Sequence, residues 1–317
     1  MGATKNIQSR EALEKIIRNA FPQRKMTAYE ELSEGLCNIA YRIGFSDGEK
    51  SILKIAPEHS STLLRNEKCL MNAEVNAMKL AEKLRSVKTA KVQYYDTSKT
   101  LCTGDYFIME HLEGESLFAL QNSLSETEKD EMYSEIGSIV RDIAKIKGER
   151  FGQLYDGAED FDKFYELVNM LIRNVLADAG EKDILIGVSP EEIFTLLETH
   201  KAAFEDVFPV LVHYDLWEGN IFVKNGHACA LIDWERALWG DVLMEDRFRR
   251  HSVNDSFLQG FGQTEFSEAE RIRILWYDVI LYLTMMTEGS FREYPDDSQY
   301  RWIKPYFEFS WNELTSM

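Results

Sequence analysis

The chain has 317 residues, long for one hydrophobic core and short for three, because cores stop growing near about 250–300 residues and domains cluster near about 100–150. Its 44% apolar and 28% charged residues, with only 6 prolines and 18 glycines, exclude collagen-like, linker-dominated and wholly disordered chains. Lys and Arg number 36 against 54 Asp and Glu, a formal charge of −18 that repels phosphate backbones and anionic lipid, so neither nucleic acid nor membrane is an expected partner.

Four cysteines, Cys37, Cys69, Cys102 and Cys229, stand without a CxxC pair or metal spacing, which fits buried thiols in a reducing compartment rather than a disulfide scaffold. No run of about 20 apolar residues occurs, and WYDVILYLTMM is short and interrupted by Asp278. The expected location is the cytoplasm, with a monomer as the default state.

In chain order, Leu13, Ile16, Ile17 and Ala20 recur at helical spacing behind Ser9, a cap for a first helix. Strands are expected in MTAYEELSEG (26–35), NIAYRIGF (38–45) and KSILKIA (50–56), the last two joined by an Asp47-Gly48 turn. Residues 62–84 carry Leu63, Leu64, Leu70, Met71, Val75 and Met78 on one broad stripe, an amphipathic helix. AKVQYYD (90–96) and DYFIMEHL (105–112) complete an open antiparallel sheet of about five strands crossed by that helix, an α+β lobe over residues 1–112.

Residues 113–317 form a second, mainly helical lobe. Ser125 and Glu128 make a capping box before Ile136, Ile139, Val140 and Ile143, and Ser189, Pro190 and Glu192 open a helix over 190–206. Ser267 and Glu270 repeat the box before RIRILWYDVILYLTMM, apolar on nearly every face and therefore core. YPDDSQ (294–299) reads as a loop before a final aromatic-rich helix, whose tail WNELTSM should fray.

The stretch that carries chemistry is HYDLWEGNIFVKNGHACALIDWE, residues 213–235. A two-residue hairpin at Asn225-Gly226 would place Leu231 opposite Asn220 and bring Asp233 beside the incoming loop. A carboxylate and a carboxamide there are hard oxygen ligands suited to Mg²⁺ shared with nucleotide phosphates, and Asp215 is placed to accept a hydroxyl proton. Isolated, the same residues could form an Asp/Asn-rich turn, with Asp233 capping a helix. His213 reads as a neutral imidazole that braces the loop through backbone hydrogen bonds.

HYDLWEGN followed by IDWE resembles the aminoglycoside phosphotransferase and choline kinase group, the protein-kinase-like small-molecule phosphotransferases. The resemblance spans about residues 28–246 and implies a bilobal fold, with Asp215 as base and Asn220 and Asp233 as Mg²⁺ ligands. It makes Lys54 of SILKIA the nucleotide-phosphate lysine, paired with Glu74, while Glu67 lies one heptad earlier as the rival partner. LSEGLCNIAYRI resembles the phosphate-covering hairpin, with Gly35 but without GxGxxG. YFIMEHLEGESL resembles the interlobe hinge, where the backbone near Glu110, His111 and Leu112 would bond adenine; because that contact is mainly backbone, ATP is the family default and GTP is compatible.

Where relatives read GDPxxD this chain has WGDVLMED. Asp241 is expected to brace the catalytic loop, and Glu245 to do the same or to face substrate. Glu235, Glu245 and Asp246, with Glu293, Asp296 and Asp297, either line a cleft for a cationic acceptor or form solvated surface. Trp217, Trp239, Trp276 and Tyr277 are wall candidates or core. The implied activity is ATP- and Mg²⁺-dependent transfer of the γ-phosphate to a small-molecule hydroxyl, such as that of an aminoglycoside or amino alcohol. The alternative is a catalytically silent nucleotide- or metabolite-binding regulatory module. No APE or long activation segment suggests a protein acceptor.

Overall fold

A computed structural model describes residues 6–32, 38–58 and 63–317. Helix α1 (Arg10–Ala20) starts at Ser9, whose side chain accepts from Ala12 N. Strands β1 (Met26–Leu32), β2 (Ile39–Phe45) and β3 (Lys50–Ile55) follow, then α2 (Leu70–Ala81), β4 (Lys88–Thr89), β5 (Val92–Asp96) and β6 (Tyr106–Glu110). The antiparallel sheet runs β1-β2-β3-β6-β5.

Both faces of this sheet are covered, so β3 is buried from Ser51 to Ile55 instead of alternating between buried and exposed. Leu13, Ile16 and Ile17 of α1 pack with Leu53, Ile55 and Ile108. Met71, Val75 and Met78 of α2 pack with Ile52, Phe107 and Met109. Strand periodicity puts Lys54 on the face of Ile52, towards α2, which is the local reason that a lysine in SILKIA becomes buried.

The helix expected over 62–84 is shorter: residue 62 lies outside the described residues, and α2 begins only after Cys69, at φ 52 with no side-chain cap. Tertiary bonds hold the preceding segment out of helix. Asn66 donates to Leu171 O at 2.9 Å, Arg65 N to Asp178 Oδ2 at 2.8 Å, and Glu67 is buried among arginines.

The second half holds β7 (Glu115–Ser116), α3 (Leu117–Leu120), α4 (Glu126–Ile143), β8 (Phe151–Gln153), β9 (Asp160–Phe161), α5 (Phe164–Glu181) and α6 (Pro190–Thr199). These are followed by β10 (Val210–Val212), β11 (Ile221–Lys224), β12 (His227–Leu231), β13 (Leu238–Gly240), α7 (Asp255–Phe261), α8 (Glu268–Phe291) and α9 (Ser298–Thr315). All three expected capping boxes form, at Ser125, Ser189 and Ser267. Two small sheets, β10-β13-β8-β9 and β4-β12-β11-β7, carry the loops of interest. The β11–β12 hairpin is the one expected at Asn225-Gly226, whereas the other strands, two or three residues long, are too short for period-2 patterning and, like α5, have no counterpart in the sequence reading.

Two helix ends differ from expectation. α6 stops at Thr199 instead of 206, because His200 leaves the helix and accepts from Trp276 Nε1 at 3.1 Å, after which a 3₁₀ turn buries Phe204. The tail does not fray: α9 continues to Thr315, anchored by fully buried Leu314. Cys69, Cys102 and Cys229 are free, yet none is buried. Among the described residues no helix is long and apolar enough to cross a membrane.

α4 and α7 cross at two glycines. A Cβ on Gly260 would sit 1.8 Å from Ser134 O, and one on Gly137 2.2 Å from Phe257 O. Gly260→Ala gains about 1 kcal/mol of helix propensity but must push the helix backbones apart. We expect a net loss in the ~1–3 kcal/mol range of overpacking or beyond, read from the urea midpoint.

Candidate active site

The loop between β10 and β11 presents Asp215 and Asn220, and the turn after β12 presents Asp233. The hairpin register differs from the simple expectation. Lys224 pairs with His227 and Val223 with Ala228, but the register then shifts, so Leu231 opposes Ile221 rather than Asn220. The extra residue in β12 moves Ile232 opposite Asn220, whose carbonyl accepts from Ile232 N at 3.1 Å. Asp233 then leaves the strand at φ 63, a left-handed turn.

Lys54 Nζ donates to both Glu74 carboxylate oxygens at 2.8 Å and to Asp233 Oδ1 at 2.8 Å, joining β3, α2 and the β12 turn. Burial by itself would depress the ammonium, but Asp233, Glu74 and Glu235 outweigh it and hold the group above its ordinary value. Asp233 is likewise pulled down by Lys54 against its own desolvation. Glu67, the rival partner, instead pairs with Arg236 at 2.9 Å and Arg292 at 2.6 Å.

Oxygens of Glu74, Asp233 and Glu235 lie within 4.8 Å of one another. Glu235, a surface-cleft candidate from sequence, is 8% exposed and accepts from Asn38 Nδ2 at 2.6 Å, so it belongs to the lysine-carboxylate cluster. Burial and the neighbouring Asp233 push its carboxyl up.

Asn220 Nδ2 donates to Asp215 O at 2.8 Å and to Asp215 Oδ2 at 3.2 Å. Asp215 is pushed up to about 8 by burial, eased by Arg236 and reinforced by Asp233, Asp246 and Glu288. Tyr214 before it adopts φ 67, costly for a bulky side chain. Buried Glu245 secures that turn, accepting from His213 N at 3.0 Å and Tyr214 N at 3.3 Å. Of its two expected placements, Glu245 takes the one that braces the loop.

His213 is fully buried, with Nε2 3.0 Å from Ile232 O and its ring 4.4 Å from that of Trp234. A carbonyl partner places the proton on Nε2, and burial pushes the pKa down to about 4, so the ring is neutral.

Asp241 departs from expectation. It caps Leu243 N and accepts from Arg273 Nε and Tyr277 OH, both at 2.8 Å, tying the end of β13 to α8 rather than bracing the catalytic loop. Asp246 is buried beside His251, whose Nε2 is 3.5 Å away. Glu293, Asp296 and Asp297 are solvated, and Asp296 and Asp297 serve the start of α9. Glu110 ends β6, with its N–H donated to Lys91 O, and Leu112 follows partly buried against the main core. Gly35 lies outside the described residues.

Arg247, which no motif of the sequence marks, also supports this site. This fully buried guanidinium donates to Leu216 O at 2.6 Å and to Glu218 Oε1 at 2.8 Å, and Tyr133 OH donates to the same oxygen at 2.9 Å. The available signal was a pair of arginines, Arg247 and Arg249, flanking Phe248 just after the WGDVLMED segment.

Oxygen-rich donors converge here: the Asp233 carboxylate, one-third exposed, and the Asn220 side-chain oxygen, which has no protein donor among the described residues. Such a set fits a hard divalent ion. The arrangement as a whole offers a cation for phosphate, carboxylates for a metal and a poised base.

Residues 28–245 match the model of the phosphotransferase enzyme family. No curated protein matches the sequence. Among solved structures, a thermostable mutant of aminoglycoside phosphotransferase APH(4)-Ia in apo form is similar at 17% identity, covering 95% of this chain and 98% of that one, with a TM-score of 0.63. A ternary complex of a thermostable APH(4)-Ia mutant with ADP and hygromycin B gives 16% identity, 94% and 97% coverage and a TM-score of 0.64. The streptomycin-ATP-APH(2")-IIa ternary complex gives 14%, 98% and 97%, and 0.60. At such identities the likeness is one of fold.

Proposed function

We propose, from the premise that the chain belongs to the phosphotransferase enzyme family and has its bilobal, protein-kinase-like α+β fold, that it transfers the γ-phosphate of ATP to a hydroxyl of a small molecule. The observation that carries this reading is Lys54 held between Glu74 and Asp233 while Asp215 and Asn220 meet in the adjoining loop. Residues 1–112 handle the nucleotide and 113–317 the acceptor.

Glu74 aims Lys54, which binds the nucleotide phosphates; the Glu110–Leu112 backbone takes the adenine edge. Asn220 and Asp233 would hold Mg²⁺, with Glu235 and Glu74 alongside, and the ion would supply charge neutralisation for the nucleotide phosphates. Asp215 Oδ accepts the proton of the acceptor hydroxyl as that oxygen attacks phosphorus in line, and ADP leaves. Glu245, His213 and Arg247 hold the loop so that this carboxylate needs no rearrangement.

The test is Mg²⁺-dependent ADP formation across hygromycin B, gentamicin, streptomycin, choline, homoserine and simple sugars. Acceptor-dependent ADP supports the reading; folded protein with no acceptor-dependent ADP overturns it in favour of a binding module. Lys54→Met removes the phosphate cation and should lower kcat roughly 10²–10³-fold, the scale for losing one preorganised charge-stabilising donor. Steady-state kinetics at saturating ATP checks this.

A further inference from the structure

Three carboxyl groups, those of Glu74, Asp233 and Glu235, cluster about the single ammonium of Lys54, and that ammonium has no donor to spare. Its three N–H groups go to the two oxygens of Glu74 and to Asp233 Oδ1, each at 2.8 Å. Arg236, whose field also reaches Glu235, is spent on Glu67 and Glu288. Among the described residues the Glu235 side chain therefore has one donor, Nδ2 of Asn38 at 2.6 Å.

This bond ties the five-stranded sheet to the turn after β12. Glu235 is fixed on that turn between Trp234, fully buried against His213, and the ion-paired Arg236. Asn38 comes 197 residues earlier and leads into β2. Ala40 pairs with Lys54, and residues two apart on a strand share a face, so Asn38 stands on Lys54's side of the sheet. Both partners are buried, at 6% and 8% exposure, where a carboxylate without a donor is costly and would turn away from Asp233 and Glu74.

The neutrality of this donor matters. A cationic side chain at residue 38 would hold Glu235 as firmly but would cancel its charge, whereas a carboxamide holds it and leaves that charge available to an ion. Three carboxyl groups against one ammonium are an arrangement that mutual repulsion disfavours and a divalent ion would offset. We propose that Asn38 is a positioning residue for ion-assisted nucleotide binding: its side-chain amide keeps the Glu235 carboxyl turned towards Asp233, on the side where the ion would sit. This rests on the proposed phosphotransfer reading for the ion's place, and it adds a residue of the sheet that acts only through Glu235.

Asn38→Leu, Asn38→Asp, Glu235→Gln and the Asn38→Asp/Glu235→Gln double variant are compared with the parent protein by calorimetric ADP titration with and without Mg²⁺, beside urea unfolding. In the parent, Mg²⁺ should strengthen ADP binding. Asn38→Leu, nearly isosteric but without a donor, should cut that strengthening roughly tenfold, the scale of one hydrogen bond to a charged group, and leave metal-free ADP affinity within about twofold of the parent. Glu235→Gln should do the same. The double variant exchanges amide and carboxylate, so the urea midpoint lost in Asn38→Asp should return while the Mg²⁺ effect stays low, because the charge has moved to the sheet. Full return of the Mg²⁺ effect in the double variant, or an unchanged effect in Asn38→Leu or Glu235→Gln, overturns the inference. So does an equal loss with and without Mg²⁺, or a parent whose ADP affinity ignores Mg²⁺. Should Asn38→Leu fail to fold, the isosteric Glu235→Gln and double variants decide the matter. Acceptor-dependent ADP formation is measured separately, and its absence with this binding pattern intact overturns phosphotransfer alone.

Discussion

Asp215→Asn should lower acceptor-dependent turnover roughly 10²–10⁴-fold, the range over which a positioned general base contributes, while ADP binding persists. The substitution is nearly isosteric. Asn220 Nδ2 can still donate to the carbonyl at residue 215 and to the new amide oxygen, so the loop keeps its geometry and only the proton acceptor is lost. Nucleotide affinity should survive because Lys54, Glu74 and Asp233 form no hydrogen bond with the Asp215 side chain. Single-turnover ADP release and calorimetric ADP titration separate the two quantities. Turnover within a few-fold of the parent would remove Asp215 from the base role, and a parallel loss of ADP affinity would show that the loop, rather than the proton acceptor, had failed.

What was legible in the sequence is what local chemistry decides. Ser-x-x-Glu boxes satisfy their own helix ends, so Ser125, Ser189 and Ser267 could be read without knowing any neighbour. Lys54 was readable because a cation in an apolar strand demands an anion, and Glu74 lay on the apolar face of the next helix. Register was less so: the NG turn sets the first two pairs of the hairpin, but a bulge further on moves Ile232, not Leu231, opposite Asn220. Helix ends decided from outside also escaped, as at His200, which is held by Trp276, and at residues 64–67, which are held by α5 and by two arginines. Nothing local marks Arg247 as a brace, because its partners Leu216 and Glu218 lie 31 and 29 residues away and contribute a carbonyl and a common side chain.

A second large effect is expected at Glu67. From sequence it competed with Glu74 for Lys54; in the fold it sits 3% exposed between Arg236, 169 residues later, and Arg292, 225 residues later, with Glu288 completing the group. Among the described residues, the ion pairs of this group join Glu67 and Glu288 to Arg236 and Arg292. Glu67→Gln keeps an acceptor for Leu64 N, now held at 3.1 Å by Oε2, but removes the buried carboxylate charge with which both Arg236 and Arg292 pair. Removing one partner of a buried charge group costs about 3–5 kcal/mol, so the urea midpoint should fall by that equivalent at unchanged m. Arg292→Met in the Glu67→Gln background should recover some of the loss, because it removes a buried cation that has lost the Glu67 charge, whereas unrelated lesions would add. Arg236 adjoins Glu235, and residue 67 leads into α2, so the network fastens the helix that carries Glu74 to the turn that carries Asp233. ADP affinity should therefore weaken together with stability in Glu67→Gln and return in the double variant. A stability loss below about 1 kcal/mol, the scale of a surface ion pair, would mean that this group is not the clamp between them.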